Sequence, residues 1–124
     1  MFAAHHQLGN LVLLIDLNRT QADGDLGAVL EVEPLAAKWR AFGWRVQEVD
    51  GNDLAAVTAA LQATERPAAE QPTAGHLAAP PNAIICRTRL GAGVPLIENK
   101  ERAHFIRVAE QEWALAALEL EATR

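Results

Sequence analysis

Three places in the sequence hold residues whose types could do chemistry. The first is "DLNRTQADG" over 16–24, where Asp16, Asn18, Arg19, Thr20, Gln21 and Asp23 follow directly on the apolar run Leu11 to Ile15. Asn18 can offer a side-chain oxygen to a hard cation, and a nearby backbone carbonyl can offer another. Oxygen ligands of this kind suit Mg²⁺ or Ca²⁺, which bridge phosphates. The same residues also serve in ordinary turns that cap backbone groups, and their spacing leaves both readings open. The second place is "DGND" over 50–53, a turn followed by Asp53 as a helix N-cap. The third follows Arg87. There "GAG" at 91–93 is too short for a phosphate loop, and Pro95 interrupts the helix whose dipole such a loop needs.

Of the four histidines, His104 stands nearest to where a ligand would gather. His5 and His6 are adjacent on a helix and point in different directions, and His76 lies in a Pro/Ala-rich loop. The single cysteine, Cys86, sits in "AIIC" and reads as a small buried residue; it excludes an internal disulfide and a CxxC metal site. No Ser–His–Asp or Cys–His pair assembles from the sequence.

These residues are positioned by an alternating set of elements. Residues 1–8 suit a helix, with Gly9 as a left-handed stop. Leu11 to Asp16 has no alternation, the pattern of a strand buried on both faces of a parallel sheet. Residues 19–32 read as a loop turning at Gly24 and Gly27. Pro34 opens a helix with Leu35, Trp39 and Phe42 on one face, and Gly43 closes it. Trp44 to Val49 is a second strand, with Trp44, Val46 and Val49 inward. Asp53 caps a helix carrying Leu54, Val57 and Leu61. Residues 66–81 form a surface loop, Asn82 to Arg87 a third buried strand, and about Ala109 to Ala122 a last helix with Trp113, Ala116, Ala117 and Leu120 on its apolar face. This order predicts an α/β fold, a three-layer αβα arrangement with a parallel sheet and right-handed crossovers. Ligands then gather outside the carboxyl ends of the strands, after Leu11–Asp16, Trp44–Val49 and Asn82–Arg87. Three strands make only a half-sheet and leave a long apolar edge unpaired.

The chain has 124 residues, half of them hydrophobic, which suits one modest domain with a real core. Sixteen acidic residues against eleven basic ones give a net charge of −5, with no basic patch for nucleic acid or an acidic membrane. A phosphorylated ligand therefore needs local help from a metal ion or from backbone N–H groups. The longest apolar run is far too short to cross a bilayer, and the first residues lack the pattern of a signal peptide, so a cytoplasmic location is expected.

Read together, "MFAAHHQLGNLVLLIDLNRTQADG", "EPLAAKWRAFGWRVQEVDGND" and "IICRTRLGAGVPLIENK" with "HFIRV" and "EW" resemble the N-terminal section of transketolase. That section is the diphosphate-binding domain of thiamine-diphosphate enzymes, so the resemblance implies a partial thiamine-diphosphate-binding fold across residues 1–124, with the N-terminal part of the domain missing. It implies thiamine diphosphate as cofactor, held through Mg²⁺ or Ca²⁺. Asn18 matches one metal ligand, and the backbone carbonyl of Thr20 matches another. His104 matches a histidine near cofactor and substrate. The implied reaction transfers a two-carbon ketol unit between sugar phosphates, and the implied partners are the remaining transketolase domains or subunit, in a homodimer-type assembly. The family's Gly-Asp-Gly, whose aspartate is the other side-chain metal ligand, lies further upstream than this sequence reaches. The glutamate that activates the aminopyrimidine ring belongs to another domain, and the family's "KGKG" reads "LGAG" here, with Leu90 and Ala92 in place of lysines. The resemblance thus implies an isolated chain without turnover. Two other readings compete: a non-enzymatic α/β interaction module using its open sheet edge, and part of a thiamine-diphosphate synthase or dehydrogenase subunit.

Overall fold

A computed structural model describes residues 1–65, 79–98, 105 and 107–122. In chain order the elements are α1 (Phe2–His5), β1 (Val12–Leu17), β2 (Thr20–Gln21), β3 (Gly24–Asp25), α2 (Leu26–Val29), α3 (Leu35–Ala41), β4 (Arg45–Asp50), α4 (Leu54–Gln62), β5 (Asn82–Arg87), α5 (Pro95–Glu98) and α6 (Glu110–Ala122). They fall into two compact units, one of residues 1–17 and 33–87, the other of residues 18–32 and 88–124.

The first unit is built on a parallel sheet in the order β1-β5-β4. Val12 pairs with Asn82 and Leu17 with Arg87 on one side of β5, while Arg45 pairs with Asn82 and Asp50 with Arg87 on the other. The last strand in sequence is therefore the central one. Its apolar run is buried throughout, with Ile84 and Ile85 wholly inaccessible although they point to opposite faces. Helices thus flank the sheet, as the absence of alternation predicts. On one face Ala60 and Val57 of α4 pack on Ile84 and Cys86, joined by Val12 and Val49.

Local chemistry sets the boundaries. The Asp53 carboxylate accepts the N–H groups of Ala55 (2.8 Å) and Ala56 (3.2 Å), fixing the start of α4. Gly43 ends α3 at φ +85°, and a Cβ there would stand 3.1 Å from the Ala4 methyl. Trp39 and Trp44 then meet edge to face at 4.9 Å, closing α3 onto the entry to β4.

Several expectations need correction. The left-handed residue after α1 is Gln7 (φ +52°), not Gly9; Gly9 instead lets the chain pass Ala79, whose methyl a Cβ would meet at 2.6 Å. Pro34 is the N-cap of α3, and the Glu33 carboxylate accepts the Leu35 N–H at 2.7 Å. Leu54, expected on the apolar face of α4, is 80 % exposed. Within the stretch read as a loop over 66–81, Ala79 and Pro81 are buried where the chain enters β5, and 66–78 lie outside the described residues.

In the second unit, 19–32 is not a plain loop. It forms the two-stranded ribbon β2-β3, in which Thr20 pairs with Asp25, and then α2, capped by Asp25 accepting the Gly27 N–H at 2.7 Å. Pro95 starts α5 rather than preventing a helix, since a proline at the first helical position gives up an N–H that has no partner there anyway. In α6, Ala116 is buried while Ala117 is exposed and Trp113 and Leu120 are 52 % and 44 % exposed, so the expected apolar face is largely uncovered. Among the described residues no helix is long and apolar enough to cross a membrane.

Candidate functional site

β1 ends at Leu17, and a tight turn follows directly. Asn18 Oδ1 accepts the Thr20 N–H at 2.9 Å, closing an Asx turn, and Thr20 Oγ1 reaches Asn18 O at 3.5 Å. Arg19 between them takes a left-handed conformation (φ +61°), which a side-chain-bearing residue adopts only when its surroundings hold it there. What holds it is the ribbon: Arg19 O accepts the Leu26 N–H at 2.9 Å, and the guanidinium reaches Glu31 at 3.4 Å. The turn thereby brings the Asn18 amide oxygen to the Thr20 N–H, the backbone-capping chemistry that was the competing reading of these residues.

An amide oxygen has two lone pairs, so the contact with Thr20 does not itself preclude a cation. Asn18 Oδ1 and a Thr20 carbonyl are hard neutral oxygens, the kind Mg²⁺ and Ca²⁺ take, although they are only part of a six- to eightfold shell. The next residue adds a second observation. Gln21 buries its amide nitrogen with no hydrogen-bond partner among the described residues, a condition that costs about 1–3 kcal/mol. The other such atom is Trp44 Nε1, in the first unit. The residues present therefore fit a metal-bound diphosphate in kind, and in part.

The remaining predicted positions behave differently. Gly91 and Gly93 both have positive φ, and the Gly93 N–H donates to Glu98 Oε1 at 2.8 Å, so "GAG" is a turn closed by its own segment. Asp50 Oδ1 accepts the Asn52 N–H at 2.9 Å, which makes "DGND" a turn and cap as expected. His5 and His6 stand edge to face at 5.0 Å. His104 and His76 lie outside the described residues. Among the described residues no group of three or more His, Cys, Asp or Glu side chains could hold a metal ion.

Sequence reasoning passed over the charges at the exit of the central strand. Arg87 lies between Glu48 (Nη2 to Oε2, 2.7 Å) and Glu33 (Nη1 to Oε1, 2.8 Å). Hydrogen bonds to Glu48 and then Glu33 raise the guanidinium's already high pKa. Glu33 also caps α3, so this pair ties the helix start to the strand end, and Arg87 O accepts the Gly51 N–H at 2.9 Å to tie in the exit of β4. No short-range signal reveals such a cluster, because its members are 15 and 39 residues apart in sequence from one another or more. Cys86, beside it, is buried; desolvation first and the charge of Asp16 second push its thiol pKa up, which leaves it unreactive at neutral pH.

Comparison with known proteins bears on this geometry. The family model described as "Transketolase, thiamine diphosphate binding domain" matches residues 1–121. A transketolase family protein of Sinorhizobium fredii is 43 % identical over 116 residues, covering 94 % of this chain and 38 % of the relative. A 6-deoxy-6-sulfo-D-fructose transketolase subunit of a Clostridium species is 33 % identical, covering 98 % of this chain and 40 % of the relative. The chain thus spans about two-fifths of the length of these relatives. Among solved structures, a transketolase of Campylobacter jejuni superposes with a TM-score of 0.78 at 22 % identity, over 97 % of this chain and 17 % of that one, a likeness of fold. The chain belongs to the transketolase family, matching its thiamine diphosphate binding domain.

Proposed function

We propose that this chain is one part of a transketolase-like transferase that moves a two-carbon ketol unit between sugar phosphates, and that it contributes part of the thiamine diphosphate and Mg²⁺ (or Ca²⁺) site. The observation that carries the reading is the Asn18–Gln21 turn, at the exit of β1 in a chain matched from residue 1 to residue 121 by the family model. Asn18 Oδ1 and the Thr20 carbonyl are the residues that would hold the metal. When bound, the cofactor supplies the carbon nucleophile and electron sink for the ketol C–C bond. The chain's own residues bind and orient: the Asx turn fixes the amide oxygen. His104 is assigned by family resemblance to the vicinity of cofactor and substrate. The catalytic assembly is completed by the rest of the protein or by a partner subunit, homodimer-type, in the cytoplasm.

Calorimetry with thiamine diphosphate and Mg²⁺ tests this. The isolated chain is expected to show no turnover and no micromolar binding, whereas the chain assembled with the rest of the enzyme binds, and Asn18→Ala in that assembly weakens binding by more than about tenfold. Micromolar binding by the isolated chain would show that its own residues make a complete site. Unchanged binding in the assembled Asn18→Ala variant would remove Asn18 from the ligand set.

A further inference from the structure

The last helix, α6, reads "EQEWALAALELEA" and is apolar on two opposite sides. At about 3.6 residues per turn, Trp113, Ala116, Ala117 and Leu120 fall on one side. That side meets its own unit, for Ala116 is buried and a Cβ on Gly93 would stand 3.7 Å from Leu120 Cδ2. Leu115, Leu118 and Ala122 share the opposite side, with Ala114 next to them, and Leu115 and Leu118 are each 62 % exposed. A helix that only closes its own unit needs one apolar stripe and carries polar residues opposite it. The Leu115 and Leu118 stripe is a second one, and exposed apolar surface of this kind marks a docking site.

The charges of α6 decide what fits there. Glu110 and Glu121 lie on one line between the two apolar sides, and Glu112 and Glu119 lie on the other. No Lys, Arg or His occurs in the helix. Glu112 also serves the helix start, where its carboxylate accepts the Ala109 N–H at 2.8 Å. A leucine stripe between two charged rows is the pattern of a helix–helix seam, in which the charged edges choose the partner. A second copy of α6 would set carboxylate against carboxylate, and an anionic membrane would be repelled in the same way. A helix edged by Lys or Arg gives the apolar contact together with complementary charge.

We infer that the Leu115 and Leu118 face of α6 docks an amphipathic helix of a different polypeptide, one whose apolar stripe is edged by Lys or Arg. The surface is separate from the Asn18 turn, and the inference does not depend on the function proposed above.

The test titrates the full chain, by calorimetry, with a synthetic helical peptide that bears a leucine stripe edged by lysines. Saturable binding is expected, and it should weaken as salt is raised. Leu115→Gln and Leu118→Gln should each weaken it by more than about tenfold, the scale of a lost anchor. Both side chains are largely in water, so circular dichroism of both variants should match the parent. Leu54→Gln, which changes an exposed leucine of α4, should bind as the parent does. A peptide with glutamates in place of the lysines should not bind, nor should one that keeps the lysines but carries glutamines in place of the leucines. No binding by the lysine-edged peptide, equal binding by either control peptide, or indifference to both α6 substitutions would each overturn the inference. So would self-association of the chain, or adsorption to neutral phosphatidylcholine vesicles, that Leu118→Gln abolishes, since the face would then serve a second copy or a bilayer.

Discussion

β1 and β5 are nearly the same strand in sequence and two different strands in structure. Each carries a continuous apolar run with no alternation, the pattern of burial on both faces. β5 fulfils it: from Asn82 to Cys86 every residue is buried, between two parallel neighbours and under α4. β1 fulfils half of it, with one neighbour among the described residues, a buried Leu17 and an exposed Leu14. The difference lies in what surrounds the strands. A hydrophobic pattern states how much cover a strand is suited to, and the distance between that and its observed burial measures what the described residues leave uncovered.

The largest expected effect follows from that contrast. Ile84→Ala should cost about 2–5 kcal/mol in the free chain, since the site is closed on both faces and cannot collapse well. Leu14→Ala should cost about 1 kcal/mol or less, because nearly half of that side chain is already in water. Urea denaturation of the two variants checks this directly. Equal losses would mean that β1 is already covered in the free chain, and the contrast would collapse.

Much of this was legible in the sequence. Asn82–Arg87 matches its strand to the residue, Gly43 closes α3, and Asp53 caps α4, because each depends on local chemistry or on a run of one character. The hairpin after Asn18 was not read, since two-residue strands have no period to detect and the turn is made by one side-chain bond. Nor was the place of β5 at the centre, which depends on how the strands pair and not on the order in which they occur. For the candidate site, the residues alone point to Asn18, and the Thr20 carbonyl enters only through the family resemblance. The orphaned amide of Gln21 became visible only when the ribbon was folded, and the Glu33–Arg87–Glu48 cluster joins residues that no spacing rule connects.

A smaller effect sharpens the comparison through α4, which packs chiefly on β4 and β5. Asp53→Ala removes the acceptor for the Ala55 and Ala56 N–H groups and should cost about 1 kcal/mol. Its signature is regional. Hydrogen exchange should quicken first in α4, and then at Ile84 and Cys86, whose cover α4 provides. Exchange in β1 at Leu14 should change least. If β1 responded as strongly as β5, the two strands would share their cover after all.

The smallest effect is read where the two strands face each other, since Asp16 of β1 lies opposite Cys86 of β5. Burial first, and the Asp16 charge second, raise the folded thiol's pKa. A free cysteine titrates near about 8.5, so below that pH the thiol is protonated in both states and contributes no pH dependence. As pH rises past it, the unfolded chain loses the proton first; the folded chain then binds more protons than the unfolded one, and stability falls. Urea midpoints across that window should therefore decline, and a Cys86→Ala variant should remove that part of the decline. Asp16→Asn should reduce the decline without abolishing it, because the larger cause, burial within β5, remains. A thiol reagent should likewise react with Cys86 only on unfolding, at neutral pH, in both the parent and the Asp16→Asn chain. Rapid reaction in the folded Asp16→Asn variant would mean that the β1 carboxylate, and not the closed environment of β5, keeps the thiol inert.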